Sequence, residues 1–213
     1  TRPGSDPASA EEQVRRVEPV IAALRERTKA VISIDTTSSV VARRALAAGA
    51  QIINDVSALR DDRDMASLAA ESDAPVVLMH MLGRPRDMQS NPVYGDVCAE
   101  VRDFLAERMA VALGRGVRRE QIVLDPGFGF GKTFEHNLEL MRNLAQLREL
   151  RRPLLVGTSR KAMLGRILDV PPRERLYGTL ATVAAAVERG ADIVRVHDAR
   201  PALAVAGRRP VLR

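Results

Sequence analysis

A parallel (β/α) barrel is the fold class this sequence predicts. Three observations lead to it: six short apolar runs rich in Val and Ile, helical segments that alternate strictly with them, and a polar group closing every run. Apolar runs without in-out alternation read as strands buried on both faces, and such strands separated by helices require a parallel sheet. An open doubly wound sheet gathers its ligand groups at one switch point, whereas a barrel brings every strand end into one ring. Polar groups at all six ends therefore favour the (β/α)8 TIM barrel. Six βα units are visible. The expectation is a single domain over residues 1–213 whose first two strands lie upstream of Thr1-Arg2-Pro3-Gly4, the alternative being a six-stranded open sheet.

Taken in order, the strands are Val31 to Asp35, Gln51 to Val56, Pro75 to His80, Gln121 to Asp125, Pro153 to Thr158 and Asp192 to His197. Helical periodicity marks Ser9 to Arg27, Ser38 to Ala48, Asp64 to Glu71, Asp96 to Leu113, Glu135 to Leu150 and Pro172 to Arg189. Ser9 with Glu12 makes a capping-box pattern, and Gly49, Gly116 and Gly190 stand where helices should stop. Near the end, Pro201 fits a first helical turn, while Gly207 and Pro210 stop that helix early.

Composition excludes several classes. With 213 residues and 46% hydrophobic content the chain can bury a sizeable core. No apolar stretch reaches the roughly 20 residues of a membrane span, and no signal-peptide pattern opens the sequence. One cysteine, Cys98, forms no disulfide framework, and no Cys/His cluster has zinc spacing, so the cytoplasm is the simplest compartment. A net charge of +6 invites nucleic acid, but the arginines are scattered and only 3% of residues are aromatic. An anionic small substrate suits the charge as well. Lys29, Lys132 and Lys161 are the three lysines in an arginine-rich chain, so each marks a place where a compact ammonium has its own use.

The strand ends carry the chemistry. Asp35, Asn54 and Asp125 are polar groups at positions expected to be buried, where each needs hydrogen-bond partners. Carboxylates pair with adjacent N–H donors such as a 2-aminopyrimidinone edge, and an Asn both donates and accepts. Asp55 and Asp198 read better as helix caps. The run Asp125-Pro126-Gly127-Phe128-Gly129-Phe130-Gly131-Lys132-Thr133 is neither a P-loop, because Pro126 stands where the first Gly belongs, nor a dinucleotide fingerprint, because Lys132 replaces the third Gly. It reads as a carboxylate followed by a flexible loop, with Phe128 and Phe130 able to cover a flat ring or simply to pack. Ser159-Arg160-Lys161 opens a helix. Arg195 and His197 alternate about Val196, so both point one way and, with Lys161, form an anion site. In the Met79-His80-Met81 segment the methionines suit a flat ligand or the core, and His80 reads as a satisfied histidine rather than a metal ligand. His136 reads as surface.

Thr-Arg-Pro-Gly at Thr1, Ser-Ile-Asp-Thr at Ser33, Ile-Ile-Asn-Asp at Ile52, Met-His-Met at Met79, Asp-Pro-Gly-Phe-Gly-Phe-Gly-Lys at Asp125, Ser-Arg-Lys at Ser159 and Arg-Val-His-Asp at Arg195 follow one another in an order that resembles the dihydropteroate synthases. The resemblance runs to about Asp198. It implies a TIM barrel that joins 4-aminobenzoate to 6-hydroxymethyl-7,8-dihydropterin pyrophosphate on the folate pathway, a target of sulfonamides. By family role, Asp35, Asn54, Met79, Asp125 and Lys161 would hold the pterin. Arg195 and His197 would bind the pyrophosphate and, with Lys161, act catalytically. Thr1, Arg2, Pro3, Phe130 and Ala162 would frame the aminobenzoate pocket. Mg2+ on the pyrophosphate is implied too, its family ligand lying on a loop outside this sequence, so no metal residue is named. A homodimer through late helices, with Leu176 to Arg189 as a candidate face, completes the expectation. The competing readings are a pterin-dependent methyltransferase and a non-catalytic pterin-binding homologue or inactive fragment.

Overall fold

The computed structural model describes residues 8–84 and 86–207 and shows an α/β fold in which all six expected strands occur in their places. They are β1 (Ser33–Asp35), β2 (Ile52–Asp55), β3 (Val76–Met79), β4 (Ile122–Asp125), β5 (Leu155–Val156) and β6 (Ile193–Val194). The helices are α1 (Ala10–Arg27), α2 (Ser39–Ala47), α3 (Met65–Ser72), α4 (Val97–Gly114), α5 (Phe134–Arg142), α6 (Ala162–Leu168), α7 (Leu176–Glu188) and α8 (Ala199–Ala206). The described residues form two compact units, 8–80 with 104–124, and 81–84 and 86–103 with 125–207.

In the first unit the strands follow the order β1-β2-β3-β4. The β1–β2 and β2–β3 pairs are parallel, with Asp35 opposite Asn54 and Asn54 opposite Val77. Ile53, Leu78, Ile122 and Leu124 are fully buried and form the sheet's share of the core. Beside them Ile21 of α1 packs with Ile34, Ala45 and Ala50. Helix α1 starts where Ser9 Oγ accepts the Glu12 N–H at 3.2 Å. The Glu12 carboxylate, however, is held by Arg15 and Arg16. Gln121, buried ahead of β4, donates to the Ala69 and Ala74 carbonyls at 2.9 Å each, satisfying the end of α3.

In the second unit β5 and β6 are parallel, with Leu155 opposite Ile193. Leu140, Leu144, Leu147 and Leu154 are fully buried. The helix expected over Glu135 to Leu150 is α5 followed by a 3-10 segment, Leu144–Leu150. The break is at Asn143, whose backbone leaves the helical region and whose side chain competes for the Glu139 carbonyl at 3.2 Å. The segment from Pro172 divides in the same way, a 3-10 turn at Pro172–Glu174 preceding α7. Helix α8 stops at Gly207, as expected.

The expectation that all six strands are buried on both faces is corrected at β1 and β6. Ser33 and Asp35 are exposed on either side of buried Ile34, and Ile193 is 41% exposed. Both strands lie at a sheet edge among the described strands.

Candidate functional site

In the first unit, parallel pairing sets Asp35 beside Asn54, and the Asn54 amide donates to Asp35 Oδ1. Asn54 is only 6% exposed, and its Oδ1 is, among the described residues, the buried side-chain polar atom without a hydrogen-bond partner. A buried acceptor left unpaired costs about 1–3 kcal/mol, so the atom is poised for a donor. Asp35 is exposed, which corrects the expectation of a buried carboxylate there.

Asp55, the next residue after Asn54, is fully buried and caps no helix. Its carboxylate accepts from Ser57 N at 2.8 Å, Ser57 Oγ at 2.6 Å and Leu59 N at 2.8 Å. These bonds hold Ala58 and Leu59 in the left-handed region, φ 52° and 65°, where non-glycine residues are strained. Burial pushes the Asp55 carboxyl up, against the pull of its Ser57 and Leu59 bonds. Met79 and His80, closing β3, are both buried, and the His80 ring meets Phe104 edge-on at 4.8 Å.

In the second unit Asp125 begins an arch. Its Oδ1 accepts the Gly127 N–H at 2.7 Å, Asn137 Oδ1 accepts the Gly129 N–H at 2.7 Å, and Lys132 Nζ donates to the Gly127 and Phe130 carbonyls at 3.0 and 3.2 Å. Gln89 Nε2 donates to the Gly129 carbonyl and the Tyr94 hydroxyl to that of Gly131, both at 2.7 Å. Lys161 Nζ donates to the Phe128 carbonyl. Each carbonyl from Gly127 to Gly131 is thus held by a side chain, and the segment read as a flexible loop is a pinned arch. Phe128 is fully buried and packs. Phe130 is half-buried, with the Lys161 ammonium 4.7 Å from its ring centroid.

Charge is concentrated at this arch. Burial pushes the Asp125 carboxyl up, opposed by Lys161, Lys132 and Arg195. Burial pulls Lys132 down to about 7 and Lys161 down to about 8, Asp125 opposing both shifts. A Cβ at Gly157 would lie 3.7 Å from Arg195 Cβ and 4.0 Å from Lys161 Nζ, so the base of the Arg195 side chain and the Lys161 ammonium flank that glycine. Ser159 Oγ bonds His197 Nδ1 at 2.9 Å and accepts the His197 N–H at 3.1 Å. Arg160 forms a two-pronged ion pair with Asp198, at 2.7 and 3.1 Å, so Asp198 serves Arg160 rather than capping α8. In this unit an anion would meet Arg195, His197 and Lys161, with a carboxylate and an aromatic ring close by.

The sequence profile described as "Pterin binding enzyme" matches residues 1–197. A dihydropteroate synthase of Synechocystis sp. is 49% identical over 199 residues, which are 93% of this chain and 69% of that relative. The chain belongs to the dihydropteroate synthase family. Among solved structures, a Xanthomonas albilineans dihydropteroate synthase with 4-aminobenzoic acid is 42% identical, with a TM-score of 0.92 over 99% of this chain and 76% of its own. A Yersinia pestis dihydropteroate synthase in a sulfonamide drug complex is 38% identical, also at 0.92, over 97% and 74%. The α/β fold is therefore that of the dihydropteroate synthases, within the TIM barrel family, and the activity of the family is that of a transferase.

Of the dihydropteroate synthase residues expected from sequence, Asp35 and Asn54 are in direct contact within the first unit, where Met79 is buried. Asp125, Lys161, Phe130, Arg195 and His197 belong to the second unit. Ala162 opens α6 and is exposed. Thr1, Arg2 and Pro3 lie outside the described residues. His136, read as surface, is half-buried: its Nδ1 accepts the Thr133 N–H at 3.2 Å while Thr133 Oγ1 accepts the His136 N–H, which caps α5. Sequence reasoning passed over Ser159 as a partner for His197, and over Lys132, Asn137, Gln89 and Tyr94 as builders of the arch. The scarcity of lysine pointed at Lys132, whereas nothing local marks Gln89 or Tyr94, which lie about 40 residues from their partners.

Proposed function

We propose that this chain condenses 4-aminobenzoate with 6-hydroxymethyl-7,8-dihydropterin diphosphate to give 7,8-dihydropteroate and diphosphate. The observation that carries the reading is Asn54 Oδ1, a buried acceptor without a partner, set beside a carboxylate. That is the complement of a planar ring edge rich in N–H donors. By family role Asp35, Asn54, Met79, Asp125 and Lys161 are assigned to the pterin. Phe130 and Ala162, together with Thr1, Arg2 and Pro3, are assigned to aminobenzoate and to the sulfonamides that compete with it. Arg195 and His197 are assigned to the diphosphate.

In this reaction the amine nitrogen of aminobenzoate forms a bond to the pterin methylene carbon. The carbon–oxygen bond to diphosphate breaks, its electron pair leaves with that oxygen, and the amine sheds one proton. The protein's part is orientation and charge. Arg195 and His197, the latter oriented by Ser159, stabilise the oxygen that becomes negative, and Lys161 adds a positive charge.

Mg2+, which the family relation implies, neutralises diphosphate charge when bound. Arg195 and Lys161, whose side chains present N–H donors, do not fit a metal ion. Among the described residues the cluster with metal-ligating geometry is Asp96, Cys98 and Glu139, where Asp96 already caps α4 by accepting from Cys98 N and Ala99 N.

The finer architecture in this reading is the eight-stranded barrel of the family, one domain over residues 1–213, to which this sequence contributes six strands. No helix of the described residues is long and apolar enough to cross a membrane, and a cytoplasmic enzyme is proposed. A homodimer is proposed through the late helices, where Tyr177 is 81% and Leu203 71% exposed. The test is Arg195→Ala in a coupled assay for dihydropteroate with Mg2+. Turnover and affinity for the pterin diphosphate should fall together while the pterin without its diphosphate still binds; unchanged turnover overturns the assignment.

A further inference from the structure

Lys132 is almost wholly buried, makes no part of the reaction just described, and occupies the inside of the arch that carries Asp125 and Phe130. A buried amine is costly unless its hydrogens are used. Lys132 uses them on two backbone carbonyls of that arch, Gly127 at 3.0 Å and Phe130 at 3.2 Å. The Gly127 carbonyl also accepts the Phe130 N–H at 3.1 Å, so the tie closes a turn that is already formed. Arginine could not replace it, since a planar guanidinium is far larger than a single nitrogen set between two carbonyls. On the outside, Gln89 and Tyr94 bind the Gly129 and Gly131 carbonyls. The arch is held from both sides.

We infer that Lys132 is a positioning residue that fixes the Phe130 ring, with Tyr94 as its outer counterpart, and thereby sets recognition of the aromatic amine substrate. Lys132 touches no substrate. It acts because the Phe130 carbonyl it holds belongs to the residue whose ring lies 4.7 Å from the Lys161 ammonium. Releasing that carbonyl frees the ring to turn away from Lys161, which loosens the amine substrate while the strand-borne pterin groups stay in place. The inference rests on the assignment of Phe130 to aminobenzoate.

The experiment is steady-state kinetics on the full chain, with KM for aminobenzoate and for the pterin diphosphate measured separately in Lys132→Met, Tyr94→Phe and Phe130→Ala. Lys132→Met keeps the stem and deletes both bonds. Its aminobenzoate KM should rise about tenfold, the scale of one to two lost hydrogen bonds, with the pterin KM rising by no more than about threefold as Asp125 loses a neighbouring charge. Tyr94→Phe removes one bond at a half-buried position and should raise the aminobenzoate KM about threefold, which tests the inference even if the first variant does not fold. Unchanged aminobenzoate KM in both variants, or equal loss of both substrates, overturns it. If Phe130→Ala also leaves aminobenzoate KM unchanged, the fault lies in the assignment of Phe130 rather than in the positioning role.

Discussion

Replacing Gly131 by alanine should destabilise the protein by about 4 kcal/mol, and the structure supplies each contribution. The residue sits at φ +60°, where a side chain costs about 1–2 kcal/mol. An added Cβ would stand 2.4 Å from the Leu82 carbonyl oxygen, 2.8 Å from Leu82 Cβ and 3.0 Å from Leu82 N. Two of these atoms are backbone and cannot rotate aside, so the arch or the chain at Leu82 must shift, at about 1–3 kcal/mol. That shift also pulls the Gly131 carbonyl from the Tyr94 hydroxyl, about 1 kcal/mol more. Gly114 provides the control. It ends α4 with nothing within 4 Å of a built Cβ, so the same methyl group there should stabilise by about 0.5 kcal/mol. Equilibrium urea unfolding of both variants against the parent chain reads the difference. Gly131→Ala falling within about 1 kcal/mol of the parent, or Gly114→Ala proving equally damaging, would refute the reasoning.

The remaining predictions concern charge and orientation. Ser159→Ala removes the Nδ1 partner of His197 and should raise KM for the pterin diphosphate about threefold to tenfold, leaving aminobenzoate KM unchanged; equal changes in both would deny the orienting role. Asp55→Ala strands Ser57 N, Ser57 Oγ and Leu59 N and should cost about 3 kcal/mol in urea unfolding, with Asp55→Asn intermediate; a neutral Asp55→Ala would mean that the loop holds itself. Lys132 titrates at about 7 in the fold and near the ordinary lysine value when unfolded. Below that lower value both states keep the proton, and stability carries no slope from this group. Between it and roughly pH 10 the unfolded chain keeps a proton that the folded chain has shed, so stability rises with pH, by at most about 1.4 kcal/mol per unit. Urea midpoints from pH 7 to pH 9.5 should rise more steeply in the parent than in Lys132→Met, and parallel profiles would sink this.

The sequence by itself determined the alternation of strands and helices, because double-sided burial and 3.6-residue periodicity are properties of a dozen neighbouring residues. It also determined which residue types close the strands, and the ordered motifs from Ser33 to Asp198 were enough for the family. Asp35, Asn54 and Asp125 could be singled out for that reason, since each closes a strand that local pattern reveals, whereas Lys161 precedes α6 and Arg195 and His197 follow β6. Exposure was not legible. Ser33, Asp35 and Ile193 lie in runs that read as buried yet are exposed, because what covers a side chain is decided by neighbours distant in sequence. Nor was the stiffness of the arch. Glycine-rich composition permits many conformations, and only Lys132, Asn137, Gln89, Tyr94 and Lys161, drawn from as far as 40 residues upstream, select one. The same holds for Asp198, which occupies a helix-cap position but meets Arg160, 38 residues earlier, as its partner. Local pattern places a side chain on an element. Which polar group then satisfies it is settled by contacts between elements, and those exist only once the chain has folded.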